Sequence, residues 1–155
     1  MHEETEQRQY GLWDSPISPL SVASGLIFSD LAWDRDGTLA WREVRSGRGV
    51  LVLQGADGQA ARDLNSDYAV RAGVGYGGGD FILGGGQAFF VEADSGRLFR
   101  QPIAAGRPEP ISPAFGQTAS PTLSPDGRWL VSVHSYEGQD SLAILDAQGL
   151  RWPQK

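Results

Sequence analysis

No cysteine occurs among the 155 residues, which excludes disulfides, thiolate metal sites and a cysteine nucleophile and leaves the redox compartment open. Lysine is almost missing as well. Lys155 is the only one, so an imine-forming mechanism has no candidate except a terminal side chain. Histidine occurs twice, at His2 and His134, and asparagine once, at Asn65. No G-x-S-x-G segment is present, so the chain lacks the strained turn that presents a hydrolase serine. Basic charge is short: 13 Lys and Arg stand against 19 Asp and Glu, for a net charge of −6. That balance argues against a nucleic-acid partner, which needs a basic stripe. No apolar run is long enough to span a bilayer. The first nine residues are polar and acid-rich, without the basic start and apolar stretch of a secretory signal. The expected compartment is therefore the cytoplasm, with no membrane contact, and the leader acids Glu3, Glu4 and Glu6 read as a solvated tail.

What the chain does have is turns. Ser124-Pro125-Asp126-Gly127 places Pro where φ must be near −65°, Asp where a side chain can bond its own backbone, and Gly where φ turns positive. The following Trp129-Leu130-Val131-Ser132-Val133 is β-branched and aromatic and too short for a helix, so it reads as a strand. Asp36-Gly37 sits between Leu31-Ala32-Trp33 and Leu39-Ala40-Trp41 in the same way. Gly127 follows Gly37 by ninety residues, twice the length of a four-stranded repeat unit of ~40–45 residues. A middle copy is expected near Tyr76-Gly77-Gly78-Gly79-Asp80-Phe81-Ile82-Leu83, with glycines in place of Pro-Asp. Turns at Asp57-Gly58, Asp94-Ser95-Gly96 and Asp146-Ala147-Gln148-Gly149 are each expected to end a third strand, at residues 50–53, 88–91 and 142–145. These strands are apolar at nearly every position, which suits sheets packed on both faces.

The predicted fold is all-β: an incomplete β-propeller of about three four-stranded antiparallel blades. Residues 1–25 form an acidic leader with one short helix, started by Ser18-Pro19, running through Ala23 and ended by Gly25. Residues 26–155 form the blades as a single domain, with a fourth strand of the last blade expected to begin at residues 151–155. Propellers typically close with four to eight blades. Three in a row leave apolar faces in water, so either the polypeptide continues or two copies cover each other.

Candidate chemistry weighs against simpler roles. His134 shares a strand face with Leu130 and Ser132 and reads first as a hydrogen-bonding histidine at a strand end, second as a contact in a central funnel. Tyr76 reads as a core aromatic or as a funnel residue. Gly73-Val74-Gly75-Tyr76-Gly77-Gly78 fits G-x-G-x-x-G, but residues 80–91 read as a strand, a Gly84-Gly85-Gly86 turn and another strand, where a phosphate site needs a helix. Asp34-Arg35-Asp36-Gly37 matches the start of a calcium loop, but the twelfth position, which must be a bidentate Glu, is Arg45. No metal, cofactor or catalytic residue is assigned.

In order along the chain, Tyr10-Gly11-Leu12-Trp13-Asp14-Ser15-Pro16-Ile17, Tyr76-Gly77-Gly78-Gly79-Asp80-Phe81, Arg97-Leu98-Phe99-Arg100-Gln101-Pro102 and the turn at residues 124–130 form a set. This set resembles the N-terminal propeller of bacterial serine peptidases of the prolyl oligopeptidase family, the branch similar to dipeptidyl aminopeptidases and acylaminoacyl-peptidases. Many relatives carry His-Glu before Tyr-Gly-Gly-Gly, where this chain has Val74-Gly75. The resemblance implies a propeller that gates short peptides toward a C-terminal α/β-hydrolase domain, its partner, which holds the Ser, Asp and His. That domain is absent here, so the chain alone is not expected to be an enzyme. The second reading is a non-enzymatic module, similar to TolB repeats, that binds a protein partner.

Overall fold

The computed structural model describes residues 25–149, apart from Asn65 and Tyr76. The leader helix, the funnel role of Tyr76 and a strand at residues 151–155 therefore lie outside the described residues. Three antiparallel sheets follow one another along the chain. The first runs β1 (Ile27–Trp33), β2 (Leu39–Arg45), β3 (Arg48–Gln54) and β4 (Arg62–Asp63). The middle one runs β5 (Phe81–Gly84), β6 (Gln87–Val91), β7 (Leu98–Pro102) and β8 (Glu109–Pro110), and the last β9 (Gln117–Leu123), β10 (Trp129–Tyr136) and β11 (Gln139–Asp146). Within each sheet every strand pairs with its neighbour in sequence, so each is a meander closed by short turns. Among the described residues no helix is long and apolar enough to cross a membrane.

The strands form where β-branched and aromatic residues alternate, and the turns form where the sequence supplies Asp and Gly. In the first and last sheets the turn after the first strand is closed the same way. Gly37 N–H donates to Asp34 O at 3.1 Å and Gly127 N–H to Ser124 O at 2.9 Å. Gly37 has φ of +89°, and a Cβ there would stand 2.7 Å from Ala56 Cβ, so only glycine fits.

Two apolar layers join the sheets. Between first and middle, Ala40, Leu51 and Leu53 meet Phe81, Leu83, Phe90 and Phe99. Phe81, Phe90 and Phe99 are in register across β5, β6 and β7, and the Phe90 and Phe99 rings stack at 5.9 Å. Between middle and last, Phe89, Val91 and Leu98 meet Ala119, Leu130, Ala143 and Leu145. Phe89 and Phe90 are both almost fully buried on opposite faces of β6, and each contributes ~1.5–3 kcal/mol through burial.

The middle sheet corrects the sequence reading in one respect. The turn equivalent to Asp36-Gly37 and Asp126-Gly127 is the one at residues 84–86, between β5 and β6, while residues 77–79 lead into β5 from the connection between sheets. Residues 88–91 are consequently in a second strand, not a third, and Asp94-Ser95-Gly96 ends that second strand. Both glycine clusters carry turn chemistry, and only sheet pairing tells them apart. The two-sided burial expected of third strands holds for β3, which is buried at five consecutive positions. It fails for β11, where Leu142 and Ile144 are exposed.

Candidate functional site

The first strands of successive sheets lie side by side, β1 against β5 and β5 against β9, so the turns at their ends converge. Residues 33–36, 82–86 and 123–127 line a cavity of about 500 Å³ between them. Asp34, buried at 8 % exposure, stitches two of these turns. Its Oδ1 accepts from Arg35 N–H at 2.7 Å, and its Oδ2 accepts from Gly86 N–H in the middle sheet at 3.1 Å. Arg35 Nη2 reaches farther and donates to Pro125 O in the last sheet at 3.1 Å. Trp33 stands at the rim, 72 % exposed. Asp36 accepts from Thr38 N–H at 2.8 Å, and that bond holds its carboxyl below the usual range. Asp126 accepts from the Ser124 hydroxyl at 2.6 Å and from Arg128 N–H at 3.1 Å. Led by the Ser124 bond, its pKa also falls. The mouth is thus an aromatic edge with two carboxylates that stay ionised to low pH, and the side chains of Asp34 and Arg35 tie its three turns together through backbone groups.

A buried polar cluster lies between β1, β2 and the residues that lead into β5. Arg42 Nε donates to Val70 O at 2.6 Å and pairs with Asp80 Oδ2 at 3.1 Å, while its Nη1 donates to Ser29 Oγ at 2.9 Å. Asp80 Oδ1 accepts from Ala72 N–H at 2.5 Å, and Asp80 N–H donates to Asp30 Oδ2 at 3.2 Å. Burial, reinforced by the neighbouring Asp30 carboxylate, raises the Asp80 pKa despite Arg42 and the Ala72 bond. This cluster seals the junction of the first and middle sheets. A left-handed residue recurs in or just before each first strand: Asp30 at φ +44°, Gly79 at +63° and Ser120 at +51°. At the second of these, Ser120 N–H donates to Gly79 O at 2.9 Å, and a Cβ on Gly79 would come within 2.5 Å of Ser120 Oγ.

His134 lies on β10, the second strand of its sheet, and is not among the residues that line the mouth. It is 4 % exposed, its Nε2 is 3.0 Å from Phe115 O, and its ring meets Phe115 edge-on at 5.7 Å. Its Nδ1 and the Ser132 Oγ are buried without a protein hydrogen-bond partner. Among the described residues no group of three or more His, Asp or Glu side chains is placed to hold a metal ion. Sequence reasoning missed the mouth residues Trp33, Asp34 and Arg35. Asp34 and Arg35 stand in a turn already recognised, and their reach into other sheets has no local sequence signal.

No protein-family profile matches the chain, and no curated protein matches it in sequence. Solved structures do. A puromycin-hydrolysing peptidase of Mycobacterium tuberculosis aligns over 94 % of this chain with a TM-score of 0.75 at 24 % identity. A second structure, of a puromycin hydrolase, aligns over 94 % with a TM-score of 0.72 at 25 % identity. A TolB-type protein of Agrobacterium tumefaciens aligns over 83 % with a TM-score of 0.64 at 20 % identity. The fold is an incomplete β-propeller. Its three sheets are consecutive blades, the cavity at their inner turns lies on the axial side, and β1, β5 and β9 are the innermost strands. The chain spans about a quarter of the length of the peptidase and of the puromycin hydrolase, 26 % of each, and 46 % of the TolB-type protein.

Proposed function

We propose that this chain is the N-terminal propeller portion of a cytoplasmic serine peptidase of the prolyl oligopeptidase family. It gates access to a C-terminal α/β-hydrolase domain that the chain does not contain. The observation that carries this reading is the alignment of 94 % of the chain with a puromycin-hydrolysing peptidase and a puromycin hydrolase, of each of which it covers 26 %. The axial mouth supplies the physical basis. In a closed ring completed by further blades, the passage would be narrow enough to exclude folded proteins by size, and the mouth's carboxylates and Trp33 would meet short peptides or aminoacyl amides on the way through. Catalysis belongs to the hydrolase domain, and the propeller acts on selection.

The test compares this chain with a longer product of the same reading frame on chromogenic aminoacyl and acyl-peptide substrates and on puromycin. Hydrolysis is expected from the longer product alone. A longer product that carries no G-x-S-x-G segment and cleaves nothing overturns the reading. The 83 % alignment with a TolB-type protein favours a second reading, a protein-binding module without an enzyme domain, and that negative result would support it.

A further inference from the structure

Most of the described arginines commit the guanidinium to a carbonyl or a carboxylate, as Arg97 does when its Nη2 donates to Ser112 O at 2.7 Å. Arg71 is different. Among the described residues its side chain makes no hydrogen bond or ion pair, in a chain whose net charge is −6. Its backbone is pinned: Val70 bridges Glu92, Arg71 N–H donates to Val91 O at 3.0 Å, and Ala93 N–H donates to Ala69 O at 2.9 Å. The base of the side chain is fixed and its head is free. Arg71 lines a cavity of about 250 Å³ with Gly73, Ala93, Gly96 and Gln117. Gln117 opens β9 of the last blade, and the other four come from the lead into β5 and the turn between β6 and β7. The Gln117 amide also has no hydrogen-bond partner among the described residues. A Cβ on Gly73 would stand 2.9 Å from Gln117 Oε1, and one on Gly96 3.0 Å from Gln117 Cγ, so this side chain lies across both glycines. Gly96 has a turn to make, at φ +66°. Gly73 is not left-handed, and its missing side chain is accounted for by the space that Gln117 takes. Glu92, beside Ala93, is already engaged by Asp94 N–H and the Ser95 hydroxyl, and Arg71 is the one charged residue of the lining.

We propose that this pocket binds one carboxylate, that of a peptide C-terminus, on the Arg71 guanidinium and the Gln117 amide. The choice of a peptide rests on the peptidase reading; the choice of a carboxylate rests on the pocket alone. A guanidinium offers two parallel N–H groups to the two oxygens of a carboxylate, and an amide N–H can add a third bond. One guanidinium balances one negative charge. A phosphate group, at about −1.5 to −2 near neutral pH, would keep an unbalanced charge in an acidic chain. At about 250 Å³ the cavity is smaller than the ~300–1,000 Å³ that encloses a whole drug-sized ligand. It therefore takes one end of a longer molecule and leaves the rest outside. Gln117 and the mouth residue Leu123 are the two ends of β9, a strand of seven residues, which sets them ~20 Å apart. The acidic mouth and this basic pocket thus stand at opposite ends of an innermost strand, and the mouth repels the group that the pocket takes.

Heteronuclear NMR titration of the 155-residue chain with acetyl-dialanine is expected to shift the backbone amide signals of Arg71, Gly73, Gly96 and Gln117, with saturation in the millimolar range. The C-terminal amide of the same peptide should shift none of them. Arg71→Gln should weaken binding roughly tenfold or more. Arg71→Lys should weaken it less, because it keeps the charge and loses the planar fork. Gly73→Ala should weaken it by crowding the Gln117 amide. Arg71 and Gly73 are both exposed, and unchanged signals elsewhere will show that each variant folds. Equal shifts from the acid and its amide, equally tight binding of inorganic phosphate, or unaltered binding by Arg71→Gln overturns the site. So does a response at the exposed Arg107 as strong as that at Arg71, which would mark general attraction of anions to arginine. Each of these results leaves the peptidase reading intact, because that is read from hydrolysis by the longer product. If the longer product cleaves nothing while the pocket still prefers the acid to the amide, the carboxylate site stands and only the peptide is lost as its natural source.

Discussion

The second strand of the middle blade and the third strand of the last blade have similar composition, Ala88-Phe89-Phe90-Val91 and Leu142-Ala143-Ile144-Leu145, with opposite fates. In β6 all four residues are buried, because the first blade covers one face and the last blade the other. In β11 only Ala143 and Leu145 are buried, and Leu142 and Ile144 face outward. Burial in this fold is therefore set by neighbours, not by the strand. A run apolar at every position announces a sheet meant for two neighbours, whether or not both are present.

The sharpest break of this comparison is Phe90→Ala. Phe90 is fully buried and stacks on Phe99, so its loss should cost ~3–5 kcal/mol in urea unfolding. Ile144→Ala, at a concentration where the chain is monomeric, should cost less than about 1 kcal/mol. Equal effects would show that the outer face is already covered. Next is the junction cluster: Asp80→Ala leaves Arg42 buried without its carboxylate, and a loss of about 3 kcal/mol is expected. The rim pair of Arg100 and Glu109, 2.9 Å apart with Glu109 exposed, is the control, and Glu109→Ala should change stability by no more than about 0.5 kcal/mol. Gly79→Ala, at a positive φ and against Ser120, should cost about 2 kcal/mol and loosen the middle and last blades first. Hydrogen exchange at the Ser120 amide reads this directly.

A pH series gives the smallest effect and carries a sign. In Glu92, burial works to raise the pKa, but the hydroxyl and amide of Ser95 and the amide of Asp94 outweigh it, and the pKa is lowered. Glu43 is lowered by the Trp41 indole and by Arg45. Groups lowered on folding stabilise above their ordinary value of 4.5 and lose that contribution as pH falls through the folded value. Asp80 has the opposite sign. Its raised pKa means that acid favours the fold at this site, so it partly offsets the other two. Glu92→Gln should flatten the fall in stability below pH 4.5, and an unchanged slope would show that Glu92 contributes nothing there.

Much of the fold was legible because its signals are local. The Ser124-Pro125-Asp126-Gly127 and Asp36-Gly37 turns, the ninety-residue spacing and the short apolar runs each report on a few neighbouring residues, and they led to three successive sheets. The strand, Gly84-Gly85-Gly86 turn and second strand over residues 80–91 were legible too, but which glycine cluster, 77–79 or 84–86, matches Asp36-Gly37 was not, because both offer the same φ freedom and the choice is made by pairing partners such as Phe81 with Phe90. The candidate site was less legible still. Asp34 reaches Gly86 across 52 positions and Arg42 reaches Val70 across 28, and such contacts exist only once blades are side by side. Trp33 ends an apolar run, Leu31-Ala32-Trp33, and its 72 % exposure at the rim has no local sequence signal.

The bond from Arg35 to Pro125 O links residues 90 positions apart, from the first blade to the last, passing over the middle one. It works as a chord drawn across an arc. Packing and short-range bonds such as Asp34 to Gly86 and Arg42 to Asp80 set the angle between adjacent blades, and small errors in each angle add along the row. A chord fixes their sum, so the curvature of the wall is held by one guanidinium at its rim, and whatever is laid onto either end of the arc meets a seat already cut to the right radius.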